Sequence, residues 1–187
     1  MDIATIKQQL PEYAKDLKLN LGSVLGEAGA PGLSATQRFG VALASAAATG
    51  DRALVDAVEQ EAGDTLPDEQ RRGARAAAAV MGMNNVYYRF LHLVEDDEYQ
   101  TLPAGLRMQV IGKPGIDKRD FELYSLAVSA INGCGMCITS HEKVLRNEQV
   151  SRQAIQSAVR IASVISAVAG VRRFADETTA DGNQAAA

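Results

Sequence analysis

Apolar residues recur at helical spacing along almost the whole of this chain, and strand-like alternation bounded by turn residues is scarce. That periodicity predicts an all-α fold. Ile3, Ile6 and Leu10 mark a first short helix. Pro11 suits the first turn of a second, which is expected to bury Tyr13, Ala14, Leu17 and Leu21. Residues 22–32 read as a glycine-rich loop. Ser34 or Thr36 caps a helix through Ala48 that Gly50 ends, and Asp51 caps the next, with Leu54, Val55, Val58 and Ala62 on one face. Pro67 and Asp68 open a long alanine-rich helix towards Met81, which 83–94 either continues or follows as a new helix. An acidic loop at 95–98 and the turn Lys113-Pro114-Gly115 come next. The best strand candidate, 106–111, reads as irregular or helical. Asp117, with Asp120 three residues later, opens a helix in the manner of a capping box, and Gly133 interrupts it after Asn132. Helices from Cys134 to about Asn147 and from Ser151 to about Phe174 complete the series, and 178–187 is expected to be a disordered tail.

The chain has 187 residues, 47% of them apolar, enough for one core, so 1–177 is expected to be a single domain. A faint repeat relates halves at about 36–94 and 117–175. Ser45-Ala46 matches Ser129-Ala130 and Arg89-Phe90 matches Arg173-Phe174, while, at a spacing one residue shorter, Asp51 and Leu54 stand where Cys134 and Cys137 stand in the second half. The last long helix has two apolar faces, one through Ile155, Val159, Ala162, Ser166 and Ala169, the other through Ile161, Val164, Val168 and Val171. Such a helix is central or lies at a subunit interface.

The net charge of −4, with no basic stripe interleaved with aromatics, argues against a nucleic-acid partner. The N-terminus lacks a basic region followed by an apolar run, and the longest apolar stretches are broken by Arg, Ser or Gly short of a membrane span. These features predict a soluble cytoplasmic protein. In that compartment a close cysteine pair implies redox chemistry or metal.

Both cysteines sit in Cys134-Gly135-Met136-Cys137, and His141 follows one turn later. Thiols three apart on a helical turn share a face and can close a disulfide without moving the rest of the fold. A helix N-terminus behind Gly133 lowers a thiol pKa, and His141 can carry protons at neutral pH. His92, the other histidine, shows no such alignment and is read as structural. On the preceding helix the polar residues Glu122, Ser125, Ser129 and Asn132 form one line ending beside the cysteines. A carboxylate on so apolar a helix is costly to bury without a partner. Either His141 is that partner, or Glu122 is a first-turn residue facing solvent.

These residues resemble the alkyl hydroperoxidase D (AhpD) family, within the carboxymuconolactone decarboxylase-like superfamily. The resemblance extends over 1–175 and includes Leu10-Pro11-Glu12-Tyr13-Ala14-Lys15-Asp16, Ala44-Ser45-Ala46-Ala47-Ala48-Thr49, Met81-Gly82-Met83-Asn84-Asn85-Val86-Tyr87-Tyr88-Arg89 and the run from Ala127 to Cys134. It implies an all-helical protein of two pseudo-repeated halves, often trimeric, that acts as an antioxidant peroxidase on organic hydroperoxides. It also implies a partnership with the peroxiredoxin AhpC and electrons from dihydrolipoyl groups on 2-oxoacid dehydrogenase components, with no bound cofactor. By the same resemblance Cys137 is the thiol oxidised to sulfenic acid, Cys134 the proton donor that then closes the Cys134–Cys137 disulfide, and His141 with Glu122 the proton relay. Some relatives carry a histidine immediately before the second cysteine, where this chain has Met136.

Two other readings use the same residues. In one the protein is chiefly a reductase of a partner peroxiredoxin, with negligible peroxidase activity of its own. In the other Cys134, Cys137, His141 and Glu122 ligate zinc, although structural zinc sites usually draw their ligands from separated pairs.

Overall fold

The computed structural model describes residues 1–175. Among them are ten α-helices and two short 3-10 turns, with no strand. The helices are α1 (Ile3–Gln9), α2 (Lys15–Leu25), α3 (Ala35–Thr49), α4 (Arg52–Ala62), α5 (Asp68–Leu93), α6 (Glu98–Thr101), α7 (Gln109–Gly112), α8 (Lys118–Ile131), α9 (Gly135–Asn147) and α10 (Arg152–Phe174). The expected tail at 178–187 lies outside the described residues.

Local capping chemistry sets most of the helix starts. Ser34 accepts from the Gln37 N–H while the Gln37 side chain reaches back to the Ser34 N–H, a reciprocal pair that satisfies two otherwise orphaned donors. Asp51 and Ser151 cap α4 and α10 in the same N3 position. Pro67 precedes a single 26-residue α5 that runs straight through Gly82.

α8 is the centre of the molecule. Every residue from Phe121 to Ser129 is buried, and the helix packs against α3, α5, α9 and α10. Helix α3 lies against α5, α8 and α10, with α4 and α2 outside it. By length and composition alone α10 is long and apolar enough to cross a membrane, where the sequence was expected to hold no such stretch. Its buried residues pack onto α2, α3 and α8, within the helical core. Arg172 near its end pairs with Asp51 at 2.7 Å and ties α10 to the start of α4.

Three local expectations change and two hold. A 3-10 turn, Glu12–Ala14, precedes α2 and alters the rotation there, so Tyr13 faces solvent at 69% exposure while Leu21 is buried. Helix α2 continues through Gly22 to Leu25, shortening the loop. Asp117 does cap α8, through the Arg119 N–H. Asp120 closes no capping box: its carboxylate accepts from Gln37 and Gln70, each at 2.9 Å, because side chains on α3 and α5 reach it first. The 106–111 segment is irregular up to α7.

Candidate active site

Two backbone motifs meet at Cys134. Gly133 adopts φ 66, the left-handed conformation that glycine accepts most readily. The Gly133 N–H bonds to the Ala130 carbonyl and the Cys134 N–H to the Ser129 carbonyl, the paired closure of a Schellman helix end. Cys134 is at the same time the N-cap of α9, its sulfur accepting from the Cys137 N–H at 3.3 Å. One residue therefore ends α8 and begins α9. The same order, a left-handed glycine (Gly50) followed by a capping side chain (Asp51), joins α3 to α4.

Cys134 and Cys137 are joined in a disulfide with their Cα atoms 5.3 Å apart. Cys134 is sealed from solvent, whereas Cys137 is 7% exposed and lines a cavity of about 430 Å³. A thiolate at Cys134 would face the free N–H groups of the first turn of α9, which favour the charged form.

His141, one turn beyond Cys137, lines the same cavity. Its Nδ1 lies 2.6 Å from Oε2 of Glu122, and both residues are buried. The solvent-facing reading of Glu122 is thus replaced by a buried pair with His141. With Glu122 as the acceptor, the proton of this bond sits on Nδ1. Nε2 faces Sδ of Met81 at 3.3 Å, a weak acceptor with no proton of its own to give.

The last two residues of the polar line, Ser129 and Asn132, are held from α5. Asn85 donates to Ser129 at 2.9 Å and accepts from Asn132 at 3.0 Å, and Arg89 donates to the Asn132 carbonyl at 2.6 Å. These bonds clamp the end of α8 that delivers Cys134. Sequence spacing singled out none of Met81, Asn84, Asn85 or Arg89. The available signal was a pair of asparagines, poor helix formers, inside an otherwise alanine-rich helix. His92 is also nearer than expected: a Cβ placed on Gly135 would lie 4.0 Å from its Nε2. Met136 shares the cavity wall with Met108 and Ile111 from the segment around α7.

The four residues named for zinc are engaged with one another in pairs. The sulfurs are bonded to each other and His141 to Glu122, and among the described residues no group of three or more His, Cys, Asp or Glu side chains is arranged to hold a metal.

An all-helical protein with a dithiol pair at a helix N-terminus and a buried histidine–carboxylate pair beside it is the class these features define. Residues 97–180 match the carboxymuconolactone decarboxylase family. Proteins called alkyl hydroperoxide reductase AhpD are similar over nearly their full length. The one from Coxiella burnetii (strain RSA 493 / Nine Mile phase I) is 53% identical over 94% of this chain and 99% of its own. That from Frankia alni is 52% identical over 100% and 99%, and that from Streptomyces coelicolor 55% identical over 90% and 93%. The chain belongs to the AhpD family.

Proposed function

We propose that this protein is an antioxidant thiol peroxidase and disulfide reductase of the alkyl hydroperoxide reductase type. It reduces organic hydroperoxides, recycles the peroxiredoxin AhpC and draws electrons from dihydrolipoyl groups on 2-oxoacid dehydrogenase components. The observation that carries this reading is the placement of Cys137, half of a disulfide, in one cavity with the buried His141–Glu122 pair.

In the cycle, Nε2 of His141, its ring oriented by Glu122, takes the Cys137 thiol proton. The thiolate attacks the peroxide, forming an S–O bond and breaking O–O. Cys134 supplies a proton to the leaving alkoxide, then condenses with the Cys137 sulfenic acid and releases water. A dihydrolipoyl thiolate attacks the disulfide, and exchange returns both cysteines to thiols as the donor closes its own ring. Because Cys134 is sealed and Cys137 is not, the incoming sulfur meets Cys137 and the leaving thiolate is Cys134, at the electropositive start of α9. A homotrimer working in the cytoplasm completes the proposal.

The decisive experiment is peroxide consumption with dihydrolipoamide as reductant, run on wild type and Cys137→Ser, with and without AhpC. Turnover in wild type alone, lost in the variant, is the expected result. Turnover that appears only with AhpC selects the partner-reductase reading, and undiminished turnover in Cys137→Ser ends both.

A further inference from the structure

Three buried side-chain polar atoms have no hydrogen-bond partner among the described residues: Arg38 Nε, Asn84 Oδ1 and Ser125 Oγ. Of these residues only Asn84 lines the cavity that holds Cys137 and His141. It is 4% exposed. A carboxamide oxygen so enclosed normally finds a donor, and leaving it without one is costly. The next residue supplies the contrast. Asn85, also buried, is paired through both ends of its amide to Ser129 and Asn132, which is what an asparagine serving only structure looks like on this helix. Asn84 stands three residues beyond Met81, whose sulfur is 3.3 Å from Nε2 of His141. Residues three apart share a helix face, so Asn84 belongs to the wall that carries the reacting groups.

We propose that Asn84 is the residue that binds the hydroperoxide group: its Oδ1 accepts the peroxide O–H and holds the O–O bond against the Cys137 sulfur. This rests on the peroxidase reading above and names the subsite within it. The alkyl chain then lies along Met108, Ile111 and Val144, the apolar wall of the cavity. Both substrates of the cycle carry donors, but a hydroperoxide O–H is a full donor and a thiol S–H a weak one, so the oxygen matches the peroxide rather than the dithiol. In the step itself the thiolate bonds to the terminal oxygen and the O–O pair leaves on the alkoxide, which takes its proton from Cys134. Sulfur is oxidised and the peroxide reduced to alcohol. The peroxide's own proton stays on what becomes the sulfenic acid oxygen, so Asn84 transfers nothing and can hold that proton throughout.

The two half-reactions test this separately in Asn84→Leu. Reduced protein is mixed with cumene hydroperoxide and loss of free thiols is followed; oxidised protein is mixed with dihydrolipoamide and their return is followed. The efficiency of thiol oxidation is expected to fall about tenfold, the scale of one uncharged hydrogen bond. The loss should appear in half-saturation rather than in limiting rate, because the bond persists through the step. Dithiol reduction should stay within about twofold of wild type. The melting temperature should hold or rise, since an unpaired buried oxygen has been removed. Oxidation at the wild-type rate overturns the proposal. So does a parallel fall in both half-reactions with a lower melting temperature, which marks a structural residue, or a fall confined to reduction, which marks a dithiol subsite. Should Asn84→Leu not fold, Asn84→Ala carries the same comparison. Wild-type thiols that do not react with the hydroperoxide would instead defeat the peroxidase reading, and this inference with it.

Discussion

His141 on α9 and Glu122 on α8 meet through Nδ1 and Oε2 at 2.6 Å, with neither residue more than 8% exposed. A hydrogen bond to a carboxyl acceptor in so dry a setting holds the ring orientation and keeps a proton on Nδ1. Glu122→Gln keeps the shape but lets the amide donate as well as accept, so Nδ1 is no longer held as the donor. The rate of Cys137 oxidation is expected to fall about 10²-fold, a typical general-base contribution. Stopped-flow mixing of reduced protein with an alkyl hydroperoxide measures it. Residues acting as one unit are not additive, so Glu122→Gln/His141→Gln should be little slower than His141→Gln alone. Full independence of the two effects would remove Glu122 from the relay.

The cysteines differ in access, and their variants should differ in kind. Cys134 is sealed while Cys137 opens to the cavity. Cys137→Ser should consume no peroxide. Cys134→Ser should react once and stop, leaving a sulfenic acid on Cys137 because the resolving thiol is gone. Intact-mass measurement after one equivalent of hydroperoxide should show one added oxygen, trapped by a dimedone-type reagent. If the oxygen instead appears on Cys134 of Cys137→Ser, the roles of the two sulfurs are reversed.

What the sequence made legible was what local chemistry decides. Helix starts at Ser34, Asp51 and Ser151 follow from capping side chains that act within three residues of themselves. The cysteines and His141 were visible because they share one turn-spaced stripe, and Glu122 because it lies on a polar line in an apolar helix. Expectations failed where distant residues intervene or a turn changes type. Asp120 is claimed by Gln37 and Gln70 across 83 and 50 positions, and no local motif foresees that. Tyr13 turns outward because a 3-10 turn has a different angular step from an α-helix. The α5 side of the site, Met81, Asn84 and Arg89, reaches α8 and α9 only through tertiary packing.

Packing between α3 and α8 leaves no room at Gly40. Tyr124 is fully buried, and a Cβ on Gly40 would overlap its phenol ring. Gly40→Ala improves helix propensity by roughly 1 kcal/mol in principle. Here it must displace a ring wedged in the centre of the fold, and overpacking of this kind typically costs about 1–3 kcal/mol or more. Net destabilisation is expected in urea unfolding, and the double variant Gly40→Ala/Tyr124→Leu should recover part of it. A Gly40→Ala protein as stable as wild type would mean that Tyr124 is not packed as described.

The same tyrosine predicts an alkaline limit to stability. Burial, with a smaller contribution from the Asp120 carboxylate, holds the Tyr124 phenol well above the ordinary tyrosine range, and its hydroxyl donates to Gln70 Oε1 at 2.6 Å. In the unfolded chain the phenol ionises near pH 10. Below that pH both states carry the proton and Tyr124 contributes no pH dependence. Above it the unfolded state has lost the proton and the folded state keeps it, so the unfolded state binds fewer protons and unfolding free energy falls as pH rises. One such group gives a slope of about 1.4 kcal/mol per pH unit. Urea unfolding between pH 9 and 11 should show this decline. Tyr124→Phe should be less stable at neutral pH by about 1 kcal/mol for the lost hydrogen bond, yet decline less steeply above pH 10, so that the two stability curves converge. Parallel curves for the two proteins would show that Tyr124 titrates alike in folded and unfolded chains.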